Sequence, residues 1–304
     1  MQRTQLRTVL ILLVVFSTSL FAAEEKKNHR ALDLGLNVTQ SSYSDSWTGG
    51  EAGNVTWVIN ADGKFTHILS KVITLNSTAK LAFGQTLTQD KETKTWAKPT
   101  KSTDKIDLES VAMYDLKSYI EPYMALRFES QFLDASDEIK DRYINPITLT
   151  ISAGVARQII KNEKSDILSR FGFAFKEYFN KYSKMTITYS YPPDTSYADE
   201  SKTTSDGGLE SVTDYKFVLS DKMAYEGKIS LFKAFFYSEK DEVKGTLAED
   251  DWKAIDLNWE NKISASITKY VQVSFYVQLL YDKQISYKGR LKETLALGLT
   301  YKMF

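Results

Sequence analysis

Cysteine is absent from the 304 residues. That removes disulfide scaffolds, thiolate-bound zinc, iron–sulfur clusters and cysteine nucleophiles together. Histidine is nearly absent, with only His29 and His67. A His-rich metal site is therefore excluded, and a catalytic triad would have to use one of those two. Proline is scarce at 5, which suits long strands whose ladders proline would interrupt. Net charge is missing too: Lys+Arg and Asp+Glu are both 39. No global field then argues for nucleic acid or an anionic membrane surface. Past the N-terminal segment no stretch approaches the roughly 18 apolar residues of a spanning helix, and no helical periodicity of useful length occurs.

What is present points to β-structure. There are 18 tyrosines, and hydrophobic residues make up 42% of the chain. That is enough apolar content to exclude wholesale disorder, and tyrosine favours strands. The first segment reads as an address. Arg3 and Arg7 precede the apolar run Val9 to Phe16, and Ala22-Ala23 precede Glu24-Glu25. This is the layout of a secretory signal peptide spanning 1–23, leaving a domain at 24–304 outside the cytoplasm. The apolar core is short for a membrane anchor.

From there period two dominates. Leu32, Leu34, Leu36 and Val38 alternate with polar residues, as do Ile147, Leu149, Ile151, Ala153 and Val155, and later Leu291, Leu295, Leu297, Leu299 and Tyr301. Such segments occupy 31–39, 53–67, 72–88, 104–117, 120–133, 146–160, 166–180, 208–220, 223–238, 252–268, 270–282 and 289–304. Most exceed the five or six residues of ordinary strands and fit the roughly 9–11 of transmembrane ones. Ala61-Asp62-Gly63-Lys64 resembles a hairpin turn, but the odd-residue phase runs through it, so one strand is expected there.

The connections alternate in length. Long ones at 40–52, 89–103, 134–145, 181–207 and 239–251 are separated by short ones at Ser70-Lys71, Lys117-Ser118-Tyr119, Lys161 to Lys164, Ser220 to Lys222 and Thr268-Lys269. Outer-membrane barrels have this form, with short periplasmic turns and longer outer loops. The sequence thus predicts an all-β fold: an antiparallel up-and-down transmembrane β-barrel of about twelve strands in the outer membrane, with lipid as its surroundings. The phase puts Asp33, Lys80, Asp107, Glu109, Asp115, Arg127, Glu129, Arg170, Lys176, Glu210, Asp214, Lys216, Glu226, Lys228, Asp256, Glu260, Lys262, Lys292 and Lys302 inside. Tyrosines near strand ends, among them Tyr119, Tyr123, Tyr143, Tyr178, Tyr182, Tyr237, Tyr270 and Tyr301, would form two interfacial girdles. Three residues break phase: Lys233 falls outward and Phe232 and Phe236 inward, which a bulge between Leu231 and Phe235 would repair.

The terminal Leu297-Gly298-Leu299-Thr300-Tyr301-Lys302-Met303-Phe304 resembles the C-terminal strand signal of bacterial outer-membrane proteins, with Met303 setting Phe304 out of phase. The resemblance implies the barrel assembly machinery as a partner. More of the chain resembles a family of uncharacterised Bacteroidota-type outer-membrane β-barrel proteins, a domain of unknown function (DUF3078). The likeness rests on Trp47-Thr48-Gly49-Gly50, Lys105-Ile106-Asp107-Leu108, the run Ile255 to Ile263, and Leu279-Leu280-Tyr281-Asp282. The family implies the same architecture and brings no functional residues.

Candidate chemistry is thin. Trp47, Gly49 and Gly50 could contact a small ligand, glycine by its backbone freedom and tryptophan as a stacking face; a loop-folding turn is the plainer account. Asp107, Glu109 and Asp115 share one strand face, where carboxylates can act as acid and base or hold calcium. Pairing with inward cations such as Arg127 is the simpler expectation. His67 lies in the lipid-facing phase near a short turn, away from any useful depth. No catalytic residue, metal or cofactor is expected, and the protein is read as a non-enzyme: a narrow pore or a structural or surface-binding barrel. Two other readings stay open, a soluble periplasmic β-barrel binding an apolar ligand and an outer-membrane hydrolase.

Overall fold

The computed structural model describes residues 29–44, 52–188 and 194–302. Fourteen strands follow one another: β1 His29–Ser41, β2 Asn54–Ile68, β3 Ile73–Thr88, β4 Thr100–Tyr114, β5 Glu121–Ser130, β6 Leu133–Asp134, β7 Arg142–Tyr143, β8 Ile147–Lys161, β9 Ser165–Thr188, β10 Asp194–Ser220, β11 Met223–Tyr237, β12 Ile255–Ser266, β13 Val271–Tyr281 and β14 Arg290–Lys302. β6 and β7 form a two-residue ribbon inside the β5–β8 connection. The other twelve close into one barrel, ordered β1-β14-β13-β12-β11-β10-β9-β8-β5-β4-β3-β2. Each pairs antiparallel with its chain neighbour, and β14 returns to β1. An even count sets the start of β1 and the end of β14 on one rim, with the short turns.

The alternation therefore located all twelve strands. Ala61 to Lys64 lies within β2, with Asp62 opposite Asp33 and Lys80. One connection differs. The segment 181–207 is not a loop for most of its length: β9 runs on to Thr188 and β10 starts at Asp194. β8 pairs with β9 no further than Phe179, and β11 with β10 no further than Asp206. Beyond those residues the two strands pair only with each other and project from the long-loop rim as a ribbon. With no lipid face, such a ribbon has no in-and-out hydrophobic pattern, so periodicity does not reveal it.

The faces are the reverse of a water-soluble protein's. Phe173 and Leu295 are 70% and 74% exposed on the outside, with Ile59, Ile151 and Ile263 also exposed there. Inside, Asp107, Glu109, Arg170, Lys228 and Glu260 are buried. Each large apolar side chain left in water forgoes about 1.5–3 kcal/mol, so the exterior fits hydrocarbon and the barrel is membrane-spanning. A polar outward residue is handled locally. Asn261 accepts hydrogen bonds from Tyr215 at 2.6 Å and Tyr225 at 2.7 Å. Tyr215 reaches it by lying over Gly227, where a Cβ would stand 2.5 Å from the phenol oxygen.

The irregularity in β11 sits later than expected. Gly207 faces Phe236 and Gly208 faces Ala234, so Phe235 is the extra residue. Phe236 is thereby exposed, but Phe232 stays buried inside against Lys176, and Lys233 keeps the outward phase opposite Ile255. The girdle expectation also needs correcting. Tyr119, Tyr143, Tyr270 and Tyr301 are exposed near the rims, whereas Tyr123 is buried inside.

Candidate site: the charged lumen and the outer rim

Alternation delivers the inward charges of twelve strands to one narrow space. Glu109 on β4 accepts hydrogen bonds from Arg170 on β9 at 2.9 Å and Lys228 on β11 at 2.5 Å. Arg170 also reaches Asp214 at 3.3 Å. Arg127 donates through two nitrogens to Asp107, both at 3.0 Å, and pairs with Glu129 at 2.9 Å. Glu260 on β12 accepts from Lys80 and Lys105, both at 2.8 Å. Nearer the short turns, Lys64 bonds Glu226 at 3.0 Å and Lys262 bonds Asp62 at 3.1 Å.

These contacts span the barrel. β4 and β12 lie six places apart around the ring of twelve, the greatest separation it allows. Yet Lys105 of one touches Glu260 of the other. Lys80–Glu260, Lys64–Glu226 and Lys228–Glu109 each join strands five places apart. Direct contact between opposite walls bridges the lumen at those depths, while Lys64, Lys80 and Lys105 keep part of their side chains accessible. Apolar clusters line the lumen on either side. Val111, Tyr123, Ala125 and Ala156, with Met113 and Leu168, pack near the short turns. Ala174, Phe232 and Ala234, with Trp252, pack toward the long loops. Buried ions of opposite sign in mutual contact offset much of each other's lost hydration.

The outer rim carries a second built arrangement. The β5–β8 connection docks on the projecting ribbon through Arg142, which pairs with Asp137 and donates to Asp199 at 2.7 Å and Ser183 at 2.9 Å. Asn145 donates to Asp134 at 2.6 Å and Asn180 at 3.0 Å, and accepts from the Lys181 amide at 2.9 Å. The Ile139 and Ser183 amides and the Arg142 guanidinium hold the Asp137 carboxyl well below the usual carboxylate range. Lys140 and Arg142 lower Asp199 likewise. Between connection and ribbon lies an open cavity of about 470 Å³, lined among others by Glu138, Ile139, Lys181, Tyr182, Met185 and Tyr197.

The structure brings together Lys80, Asp107, Glu109, Arg127, Glu129, Arg170, Asp214, Glu226, Lys228, Glu260 and Lys262, as the phase indicates. Asp115 does not join them. It lies past the end of β4 and accepts from the Lys117 amide at 2.8 Å, within the turn. Trp47, Gly49 and Gly50 lie outside the described residues. His67 is buried near the short-turn end of β2. Among the described residues no group of three or more His, Asp or Glu could hold a metal ion. Sequence reasoning missed Asp62, Lys64 and Lys105 as lumen members, although the phase of β2 and β4 contained them. It also missed Arg142 and Asn145. Their partners on the ribbon lie 35 to 57 residues away across two connections, which no local pattern reports.

Residues 38–135 match the model of a family described as Protein of unknown function (DUF3078). The DUF3078 match runs from late β1 to just past β6 and holds one half of the ion-pair network, from Asp62 to Glu129. The basic and acidic partners on β9 to β12 lie outside it. No curated protein matches the sequence. Among solved structures, the chain is similar to an outer-membrane channel from Pseudomonas putida F1 at 11% identity and TM-score 0.41, covering 92% of this chain and 96% of that one. It is similar to the translocator domain of the autotransporter NalP from Neisseria meningitidis at 10% identity and TM-score 0.35, covering 100% and 97%. It is also similar to the NanC porin at 8% identity and TM-score 0.34, covering 90% and 100%. Identities this low carry no function across.

Proposed function

We propose that this chain is a non-catalytic outer-membrane barrel whose lumen is sealed at rest and whose work is done at its outer rim, as a scaffold that presents the β9–β10 ribbon to the exterior. The observation that carries the reading is the contact of Lys105 and Glu260 across the full width of the ring. An open diffusion pore needs water between its walls; here opposite walls share hydrogen bonds. The alternating faces and the apolar exterior support a membrane setting. The N-terminal address and the C-terminal strand pattern support export after loss of 1–23 and insertion by the barrel assembly machinery.

Conductance of the refolded protein in a planar lipid bilayer tests the sealed lumen. The wild type should pass no sustained current, while the double variant Lys105→Met/Glu260→Gln should conduct. A large steady current through the wild type would contradict the seal. Cell fractionation tests the location, and recovery of the wild type in the soluble periplasmic fraction would overturn it.

A further inference from the structure

The barrel wall is not closed equally all round. β14 pairs with β13 from Leu299 opposite Val271 to Arg290 opposite Leu280. With β1 it pairs only from Lys302 opposite Asp33 to Gly298 opposite Asn37. In the same register Val38 would face Leu297 and Ser41 would face Thr294, but these positions are not paired. The edges of β1 at Val38–Ser41 and of β14 at Thr294–Leu297 are therefore unpaired with each other toward the long-loop rim, which opens a split in the ladder.

Two further observations fall at the same place. A cleft of about 260 Å³ opens at the apex of the split, lined by Leu36, Val38, Val271, Leu297, Gly298 and Leu299. Its side chains belong to the lipid-facing phase. On the other side of β14, Lys292 and Thr294 have the inward phase yet are exposed, so the lumen's outer half is open beside the split. Lys292 reaches across that space to Thr103 at 3.1 Å.

An occupant of this seam has two surfaces to meet. The cleft is apolar, while the split edges offer backbone N–H and C=O groups that cannot stand bare in hydrocarbon. An added strand would satisfy the edges but not the cleft, and the split narrows to two directly paired strands at Asn37–Gly298, leaving no width for a third at about 4.8 Å spacing. A single-chain amphiphile satisfies both. We propose that the seam is a lateral binding site for a fatty acid or a similar anionic single-chain amphiphile. Its tail lies in the cleft, and its carboxylate enters the split to meet β14 amides and the Lys292 ammonium. Glu293, outward and exposed beside Lys292, disfavours the head on the lipid side and favours it within. This site does not depend on whether the lumen below conducts.

The test uses the full-length protein in phosphatidylcholine nanodiscs with a diazirine-bearing palmitic acid as probe. Photolabelling should concentrate at Val38, Leu297 and Leu299, and free palmitate should compete it away. Lys292→Gln should weaken palmitate about tenfold, the loss of one charge-assisted contact. The chain has no cysteine, so Val38→Cys/Leu297→Cys places a unique pair that can bond only if the seam zips. Oxidation should abolish labelling and reduction should restore it. If the pair does not oxidise, Leu297→Trp, which fills the cleft, should abolish labelling instead. Labelling spread evenly over outward positions such as Ile263 and Phe173, or labelling that survives both the disulfide and Leu297→Trp, would overturn the site. A conducting wild type would leave it standing and overturn only the sealed lumen.

Discussion

Glu109 shows what one residue does in this lumen. It takes hydrogen bonds from Arg170, which is 2% exposed, and from Lys228. Glu109→Gln keeps the shape but leaves two buried cations with only the half-exposed Asp214 as anion, at 3.3 Å from Arg170 and 3.9 Å from Lys228. Breaking a buried pair in this way costs about 3–5 kcal/mol. The folded form should then convert to the slow-migrating unfolded form at a lower temperature on detergent gels, and Glu109→Gln/Lys228→Met should recover part of the loss. An unchanged conversion temperature in the single variant would show that the contact carries no stability. At the rim, Asp137 and Asp199 have carboxyls lowered from their ordinary range by their donors. The stability they lend is complete above the unfolded value of about 3.9 and is lost as pH falls through the lower folded values. A nitroxide at Ile139→Cys should keep constant mobility from neutral pH down to about 4 and loosen only in stronger acid. Loosening already near pH 6 would assign the docking to other groups.

At the scale of the strand, phase decides tolerance. Leu297 faces out and is exposed to lipid, while Thr300 faces in. Leu297→Arg should impair assembly, at about 2–4 kcal/mol for a charge near the midplane, and Thr300→Arg should be milder; equal yields of folded barrel would contradict the phase. The strands were legible because each barrel strand divides lipid from lumen, and that division writes itself as period two. Where the strands leave the barrel, past Phe179 on β9 and before Ser205 on β10, lipid and lumen no longer divide the faces, and the signal vanishes with that division. β11 was half legible. The alternation exposed the conflict at Lys233 and Phe232, but their packing against Ile255 and Lys176 settled it by keeping both in place and shifting the bulge to Phe235. The inward charges were readable residue by residue, yet their partners were not, because which cation meets which anion depends on strand stagger and barrel width.

For the whole molecule, orientation is the testable property. The rim with the short turns should face the periplasm and the ribbon the exterior. Trypsin added to intact cells should cut within 181–207, where Lys184 and Lys202 are exposed, and should spare the turn Lys161 to Lys164. The opposite result would invert the topology. The ribbon also sets a distance. From Asn180 to Thr188 the strand runs nine residues past its last barrel neighbour, about 30 Å of extended chain at 3.3 Å each. That is as long as the hydrocarbon core is thick. Surface polysaccharide deep enough to hide the barrel mouth from an antibody or a phage fibre would still leave this stalk standing within their reach, so immune and viral pressure on this protein should fall on the stalk first.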